Sequence, residues 1–389
     1  MTWPYKVRAI DLEAITQTCG LYGFCLVKNF FNPEEMNQIR LGLVETNQHF
    51  GAITPDPLSC PALNWLVADP RVLKIAHALL KQELVYYANG SINFENEIGP
   101  LTTTPYTALH SDAAGRPDAL SGYPKQDGKT PFPAYRFAIY MQDYTANSGS
   151  VRVVPGSHLW TDRFDMSDSD AFSAAVAPQA STHPSRAEHF IEMVPTQPGD
   201  LVIWNLGLIH GAGAKRLGNN PDRCLHPSKE EALAQEDPAQ FLPPPGPRNA
   251  IFFDYGAVSE AVDLYIKFYT QTQTSKRLKP FSRGQTDAEN IYNLISGTGA
   301  RLREDGLIIS LCFQIEHAKR SGDSLTARSL FERLYGLVER HREFSAHHQL
   351  FDRSRFDKLK LASWKKAVGY AQQMVMLRIS HQSNQTLVT

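Results

Sequence analysis

Cysteine is scarce in this chain of 389 residues: Cys19, Cys25, Cys60, Cys224 and Cys312, an odd number with no C-x-x-C pair. That speaks against a disulfide framework and a thiolate zinc site, and it predicts a reducing, cytoplasmic setting. An excess of either charge is also missing, since 39 Lys and Arg stand against 40 Asp and Glu. A net charge of −1 argues against a dominant electrostatic partner, so no nucleic acid is expected. Long apolar runs are absent too. The strongest, Leu307 to Phe313, is far short of the roughly 20 residues of a membrane span. The opening MTWPYKVRAIDLE carries charges early and has no apolar stretch of the kind a signal peptide needs. No internal repeat is visible. What remains is ordinary globular usage, 42% hydrophobic and 20% charged, enough to build a sizeable core and to disfavour global disorder. At about 150 residues per domain the length suggests two or three domains.

Gly23 to Phe30 reads as a short buried strand, and a helix start follows it directly. Asn32 can cap, Pro33 suits the first helical position, and Glu35 can reach back to close a capping box. Phe31 and Met36 can staple that start, and Ile39 and Leu43 continue the apolar face. From about 84 to 256 the pattern becomes short strands with turn punctuation: LVYYANGSINFE, AYRFAIYMQDY, SVRVVP, DLVIWNLGLIHG and NAIFFDYG. Such a series predicts a mainly β core, a sandwich, jelly roll or barrel, with flanking helices. Two polar stretches interrupt it, near 160–190 and 216–247, and insertions of that length read as lids or binding loops.

After about residue 258 helical periodicity takes over, with Leu330, Leu334, Leu337 and Val338 on one face and Leu361, Trp364, Val368, Ala371 and Val375 on another. Residues 281–389 hold 16 Lys and Arg against 11 Asp and Glu, leaving an acidic balance of −6 for residues 1–280. The basic run from Arg353 to Lys366 reads as a solvated helix face, because the apolar stripe already accounts for the helix. The expected division is therefore 1–257, the β-rich domain, and 258–389, a helical C-terminal extension whose stripes need a partner surface. That surface is either intramolecular or a second copy in a homodimer.

Three segments carry chemistry: TALHSDAAGR, SGSVRVVPGSHLW and PGDLVIWNLGLIHGAGAKR. His110 and Asp112 stand at i and i+2, which on a strand projects both side chains to one face. His210 ends an apolar strand, where an imidazole could point into a barrel mouth. Two His and one carboxylate on one face leave coordination positions open, an arrangement suited to non-haem Fe(II) rather than closed structural zinc. H-x-D alone is weak evidence, and a His after a strand is more often a satisfied polar group. His158, in PGSH, is read as structural because it sits in a turn leaving a strand, and His183, Glu188 and His189 as part of an insertion surface.

The order of these segments raises their weight. GFCLVKNFF before a capped helix, the H-x-D, NSGSVRVVPGSH and PGDLVIWNLGLIHG together resemble the phytanoyl-CoA dioxygenase-like branch of the Fe(II)/2-oxoglutarate-dependent oxygenases, across roughly residues 20–256. The resemblance implies a double-stranded β-helix, or jelly roll, with His110, Asp112 and His210 as iron ligands. It implies Fe(II), 2-oxoglutarate and O2 as cofactor and co-substrates, and a small organic molecule as substrate. Related halogenases have a small residue where Asp112 stands, so the carboxylate favours hydroxylation, then desaturation or ring formation. The resemblance also calls for an Arg about ten residues beyond the distal His, to pair with the 2-oxoglutarate carboxylate through its planar fork. Here a Pro-rich insertion intervenes. Arg248, directly before the strand NAIFFDYG, is the candidate, ahead of Arg223 and Arg216. Ala212 replaces a small hydroxyl residue and Ala138 replaces a Trp found in many relatives, which gives Arg136 and Tyr140 room on that face. Arg136 is thus a second candidate for 2-oxoglutarate or an anionic substrate. Two other readings stay open: a jelly-roll metal enzyme without 2-oxoglutarate, such as a cupin-like dioxygenase or isomerase, and a non-catalytic binding protein on the same scaffold.

Overall fold

A computed structural model describes residues 3–8, 11–50, 56–57, 60, 62–86, 90–94, 108–113, 130–160, 166–180 and 191–259, with isolated positions at 261–262, 265, 301–302, 322, 325–326 and 328–329. The expected helical extension therefore lies outside the described residues, apart from those isolated positions. So does the cluster of His183, Glu188 and His189.

The chain opens with a short strand β1 (Lys6–Arg8), helix α1 (Leu12–Tyr22), strand β2 (Phe24–Lys28) and helix α2 (Pro33–Phe50). At the start of α2 the capping box forms as its residues dictate. Asn32 Oδ1 accepts from the Glu35 amide at 2.9 Å, and Glu35 Oε2 accepts from the Asn32 amide at 2.8 Å. Phe31 and Met36 are both buried at that entry. Helix α3 (Pro70–Leu80) is capped by Asp69, whose side chain accepts from the Arg71 amide. Then come β3 (Leu84–Tyr86), β4 (Ser91–Phe94), β5 (Ala134–Tyr140), β6 (Ser150–Val153), α4 (Ser169–Ala180), β7 (Glu192–Met193), β8 (Leu201–Asn205), β9 (His210–Ala214), α5 (Pro227–Glu236), β10 (Asn249–Ala257) and β11 (Arg301–Leu302). Each strand segment read from the sequence is present.

The strands form two sheets. The larger runs β1-β2-β8-β5-β10-β3-β11, with β4 also on β10; the smaller is β7-β6-β9. Alternation along each strand sends half the side chains inward. Phe24 and Leu26 of β2, Ala138 and Tyr140 of β5, Val202 and Trp204 of β8, and Ala250 and Phe252 of β10 meet Val151 and Val153 of β6 in one buried cluster. This sheet-rich core with few helices carries the site.

A second cluster lies on the other side of the smaller sheet. Phe172 and Val176 of α4 join Ile191, Met193, Ile209, Ala214 and Cys224 there. Arg152 of β6 makes a bidentate pair with Glu230 of α5, both contacts 2.9 Å, and its Nη1 also donates to the Leu225 carbonyl at 3.1 Å. The described parts of the two insertions are thus fastened to the outer face of the smaller sheet. Arg216 belongs to the same construction, donating to the carbonyls of Pro221 and Tyr144.

Candidate metal centre

Where β8 leaves the large sheet, a four-residue turn carries the chain into β9 of the small one. Asn205 builds it: Oδ1 accepts from the Gly207 amide at 2.9 Å, and Nδ2 donates to the Phe132 carbonyl at 2.6 Å. The Ile209 amide donates to Ser157 Oγ at 2.8 Å, so the PGSH segment fixes the approach to His210. His158 packs against Gly23, whose φ of +82° and lack of side chain are both required; a Cβ there would fall 2.6 Å from His158 Nδ1. Buried and bonded through Nε2 to the Gly20 carbonyl, His158 is structural, as read.

His110 and His210 face each other in an isolated antiparallel bridge with both backbone bonds made, at 2.9 and 2.8 Å. Directly opposed residues put their side chains on one side, and the ring centroids are 4.4 Å apart. The H-x-D segment is this single bridge followed by a turn rather than a continuous strand. Backbone contacts to the β8–β9 turn hold it: the Ala113 amide and the Ser111 hydroxyl both donate to the Leu206 carbonyl. Asp112 is thereby brought beside the two rings, and one ligand atom from each of His110, Asp112 and His210 lies within 4.8 Å of the others.

Each imidazole has its Nδ1 on a backbone carbonyl, that of Ala108 at 2.9 Å for His110 and that of Leu208 at 3.0 Å for His210. Donation from Nδ1 fixes the tautomer and leaves the Nε2 lone pair for a metal. Burial pushes the His210 pKa down to about 4, the neighbouring His110 adds to the fall, and Asp112 opposes it. A neutral imidazole is the ligating form. The donor set of two imidazoles and a carboxylate fits a divalent transition metal with open positions.

Arg136, on the inner face of β5, reaches this centre. Its Nε and Nη2 donate to the two oxygens of Asp254 on β10, each at 2.7 Å, and its Nη1 lies 3.0 Å from Asp112 Oδ2. Asp254 is fully buried. The pairing follows from register, because Asp254 stands opposite Arg136 on one side and Trp204 opposite it on the other. The Trp204 ring lies tilted by 52° to that of His210 with centroids 5.4 Å apart, and its buried Nε1–H has no acceptor among the described residues.

Farther along the same face, Arg248 precedes β10 and its guanidinium carbon lies 5.8 Å from the Tyr140 ring centroid. Burial raises the Tyr140 pKa, and Arg248 is the main counterweight. Ala138 sits between Arg136 and Tyr140, fully buried in the core cluster of that face. Of the rival arginines, Arg223 is exposed and Arg216 is spent on carbonyls. Sequence reasoning missed Asp254; a lone carboxylate at an inward position of NAIFFDYG was the available signal.

Residues 61–217 match the model of the phytanoyl-CoA dioxygenase family, PhyH, a span that includes His110, Asp112 and His210. Three solved structures are similar at low identity. The non-heme alpha-ketoglutarate-dependent epimerase SnoN from nogalamycin biosynthesis is 19% identical with a TM-score of 0.41, over 64% of this chain and 84% of that one. EctD from S. alaskensis, with 2-oxoglutarate and 5-hydroxyectoine, is 17% identical with a TM-score of 0.39, over 61% and 73%. The carbocyclase SnoK from nogalamycin biosynthesis is 18% identical with a TM-score of 0.40, over 62% and 83%. No curated protein matches the chain. The family match bears out the resemblance read from the sequence, and with it the enzyme class, an Fe(II)/2-oxoglutarate-dependent oxygenase using Fe(II), 2-oxoglutarate and O2. Among the described residues no helix is long and apolar enough to cross a membrane.

Proposed function

From a phytanoyl-CoA dioxygenase-type segment as premise, we propose that this chain is a jelly-roll dioxygenase that oxidises an aliphatic C–H position of a small organic molecule, by hydroxylation first, with desaturation or ring formation as variants. The observation that carries this is the convergence of His110, Asp112 and His210 within 4.8 Å, with both imidazoles held by carbonyls at Nδ1. These three residues would hold the iron. When bound, Fe(II) supplies the activation of O2 that couples decarboxylation of 2-oxoglutarate, to succinate and CO2, to oxidation of the substrate.

The chain's own part is binding and exclusion. Arg248 would pair with the distal carboxylate of 2-oxoglutarate, its fork matching that group, with the Tyr140 phenol beside it. The buried Trp204 Nε1–H offers a further donor on that face. The wall between them is apolar, formed by Ala138, Val202, Ala250 and Phe252, which keeps water from the chelated co-substrate. Asp112 keeps its carboxylate in the ligand set, which favours oxygen transfer. Arg136, the other candidate for an anionic ligand, has two of its nitrogens engaged by Asp254. A cytoplasmic setting suits the four described cysteines, all free thiols. The tail of 258–389 is read from its sequence as helical, its apolar stripes covered either within the chain or by a second copy in a homodimer.

Anaerobic titration with Fe(II) and 2-oxoglutarate tests the reading. A weak visible charge-transfer band should appear, and aeration should yield succinate; neither should occur with His210→Ala. Metal binding without a 2-oxoglutarate-dependent band would favour the cupin-like reading, and no metal binding at all a non-catalytic scaffold.

A further inference from the structure

A buried ion triad lies behind the metal-facing carboxylate. Arg136 holds Asp254 through Nε and Nη2 at 2.7 Å each and presents Nη1 to Asp112 Oδ2 at 3.0 Å. The two anchors come from neighbouring strands in fixed register, so the guanidinium plane is set by the sheet, not by the loop that carries Asp112. Asp112 itself sits in a turn that follows the His110–His210 bridge and is tied to the Leu206 carbonyl through the Ala113 amide. A carboxylate on a turn has a free χ1 and χ2 unless something holds it. The same Oδ2 that meets Arg136 lies 3.8 Å from His210 Nε2, so the guanidinium acts on the oxygen that faces the ligand set.

We propose that Arg136, clamped by Asp254, is the positioning residue of the metal centre: it holds Asp112 turned toward His110 and His210 before any metal arrives. The inference rests on the reading of His110, Asp112 and His210 as ligands. Arg136 and Asp254 touch no metal in this scheme. Two consequences follow from the geometry. With Nη1 on one side of Oδ2, bidentate ligation by Asp112 would be disfavoured. The two carboxylates share one guanidinium, so the cluster keeps a net charge of −1 that favours a divalent cation over an empty centre.

The test is metal affinity and the spectrum of the bound ion, with Co(II) as the probe on the full chain. Arg136→Met and Asp254→Asn should each weaken Co(II) binding by about 10- to 100-fold, the usual range for outer-shell partners of metal ligands. Arg136→Lys should recover only part, since an ammonium cannot make the fork. The two losses should not add: in an Arg136→Met background, Asp254→Asn should cost nothing further in affinity. The visible band of bound Co(II) should shift in the variants as Asp112 gains freedom. Because removing one member leaves a buried charge, Arg136→Met/Asp254→Leu serves as the folded control, and it should show the same loss at a melting temperature close to that of the parent. Unchanged affinity and band shape in that folded double variant would overturn the proposal. If the parent chain itself fails to bind Co(II), or His110→Ala binds it as well as the parent, the ligand assignment is what fails.

Discussion

Among the described residues, two buried arginine–carboxylate forks are alike in their distances, approach their carboxylates by different edges of the guanidinium, and are opposite in use. Arg152 and Glu230 meet at 2.9 Å twice, and Arg136 and Asp254 at 2.7 Å twice. Both join elements far apart in the chain. The difference is the third contact. Arg152 makes its third contact from Nη1, which also serves Glu230, to the Leu225 carbonyl, a neutral backbone group. The fork is closed in the sense that no second carboxylate enters it among the described residues. Arg136 gives its Nη1 to Asp112, a second anion. A closed fork fastens; an open one positions something else. The same residue pair therefore says little about role until its outermost nitrogen is traced.

Breaking the closed fork should have the largest effect on stability and none on the metal centre. Glu230→Ala would leave Arg152 buried and uncompensated, at a cost of about 3–5 kcal/mol, read by urea denaturation. Arg152→Met/Glu230→Leu should return most of that stability. In both variants the folded fraction should bind Co(II) as the parent does, and a fall in affinity there would erase the distinction between the two forks.

The next effect concerns the far end of the same inner face. Arg248→Met should weaken 2-oxoglutarate binding by about 2–3 kcal/mol, the range for losing hydrogen bonds to a charged partner, with metal affinity unchanged. Equilibrium binding of 2-oxoglutarate to the Co(II)-loaded chain reads it. Should Arg136→Lys, and not Arg248→Met, cause the selective loss, then the open fork serves the co-substrate directly and the positioning role is wrong. A smaller effect belongs to the helix that neither fork touches: Asn32→Ala should cost about 1 kcal/mol of stability through the broken capping box, with both ligand affinities intact.

Much of this was legible in the residues. β-Branched and aromatic runs between turn signals gave β2, β5, β6, β8 and β10, and Asn32-Pro33 with Glu35 gave the start of α2. Helices α1 and α3 went unread although Asp11, Gly23, Asp69 and Pro70 marked their ends, because their apolar faces are short. Helices α4 and α5 lie in the two stretches that read as insertions: Ser-, Ala- and Glu-rich segments show little periodicity, and packing on the small sheet decides them. At the site, the convergence of His110, Asp112 and His210 was readable from order and spacing. The forks were not. Arg136 and Asp254 are separated by 118 positions, and only the β5–β10 register makes them neighbours.

The smallest effect sharpens how the closed fork is carried. His226 caps α5, the helix that presents Glu230 to Arg152: Nδ1 accepts from the Ser228 amide at 3.3 Å, and Nε2 meets the Met166 carbonyl at 3.1 Å. Burial lowers its pKa below the ordinary 6.5. The folded chain therefore prefers the neutral ring, whose Nδ1 lone pair makes the cap. Above pH 6.5 both states are neutral and this contribution is fully present. As pH falls below 6.5 the unfolded chain takes up a proton that the folded chain refuses, so stability declines toward the folded pKa. His210 contributes with the same sign, so a single stability profile cannot separate them. His226→Asn can, since asparagine also caps and does not titrate. Between pH 7 and 5 the parent should lose more stability than His226→Asn, and the protection of α5 amides, relative to their intrinsic exchange rates, should fall in the parent alone. Parallel profiles would mean that the cap does not feel the proton, and that the Arg152–Glu230 fork holds α5 without it.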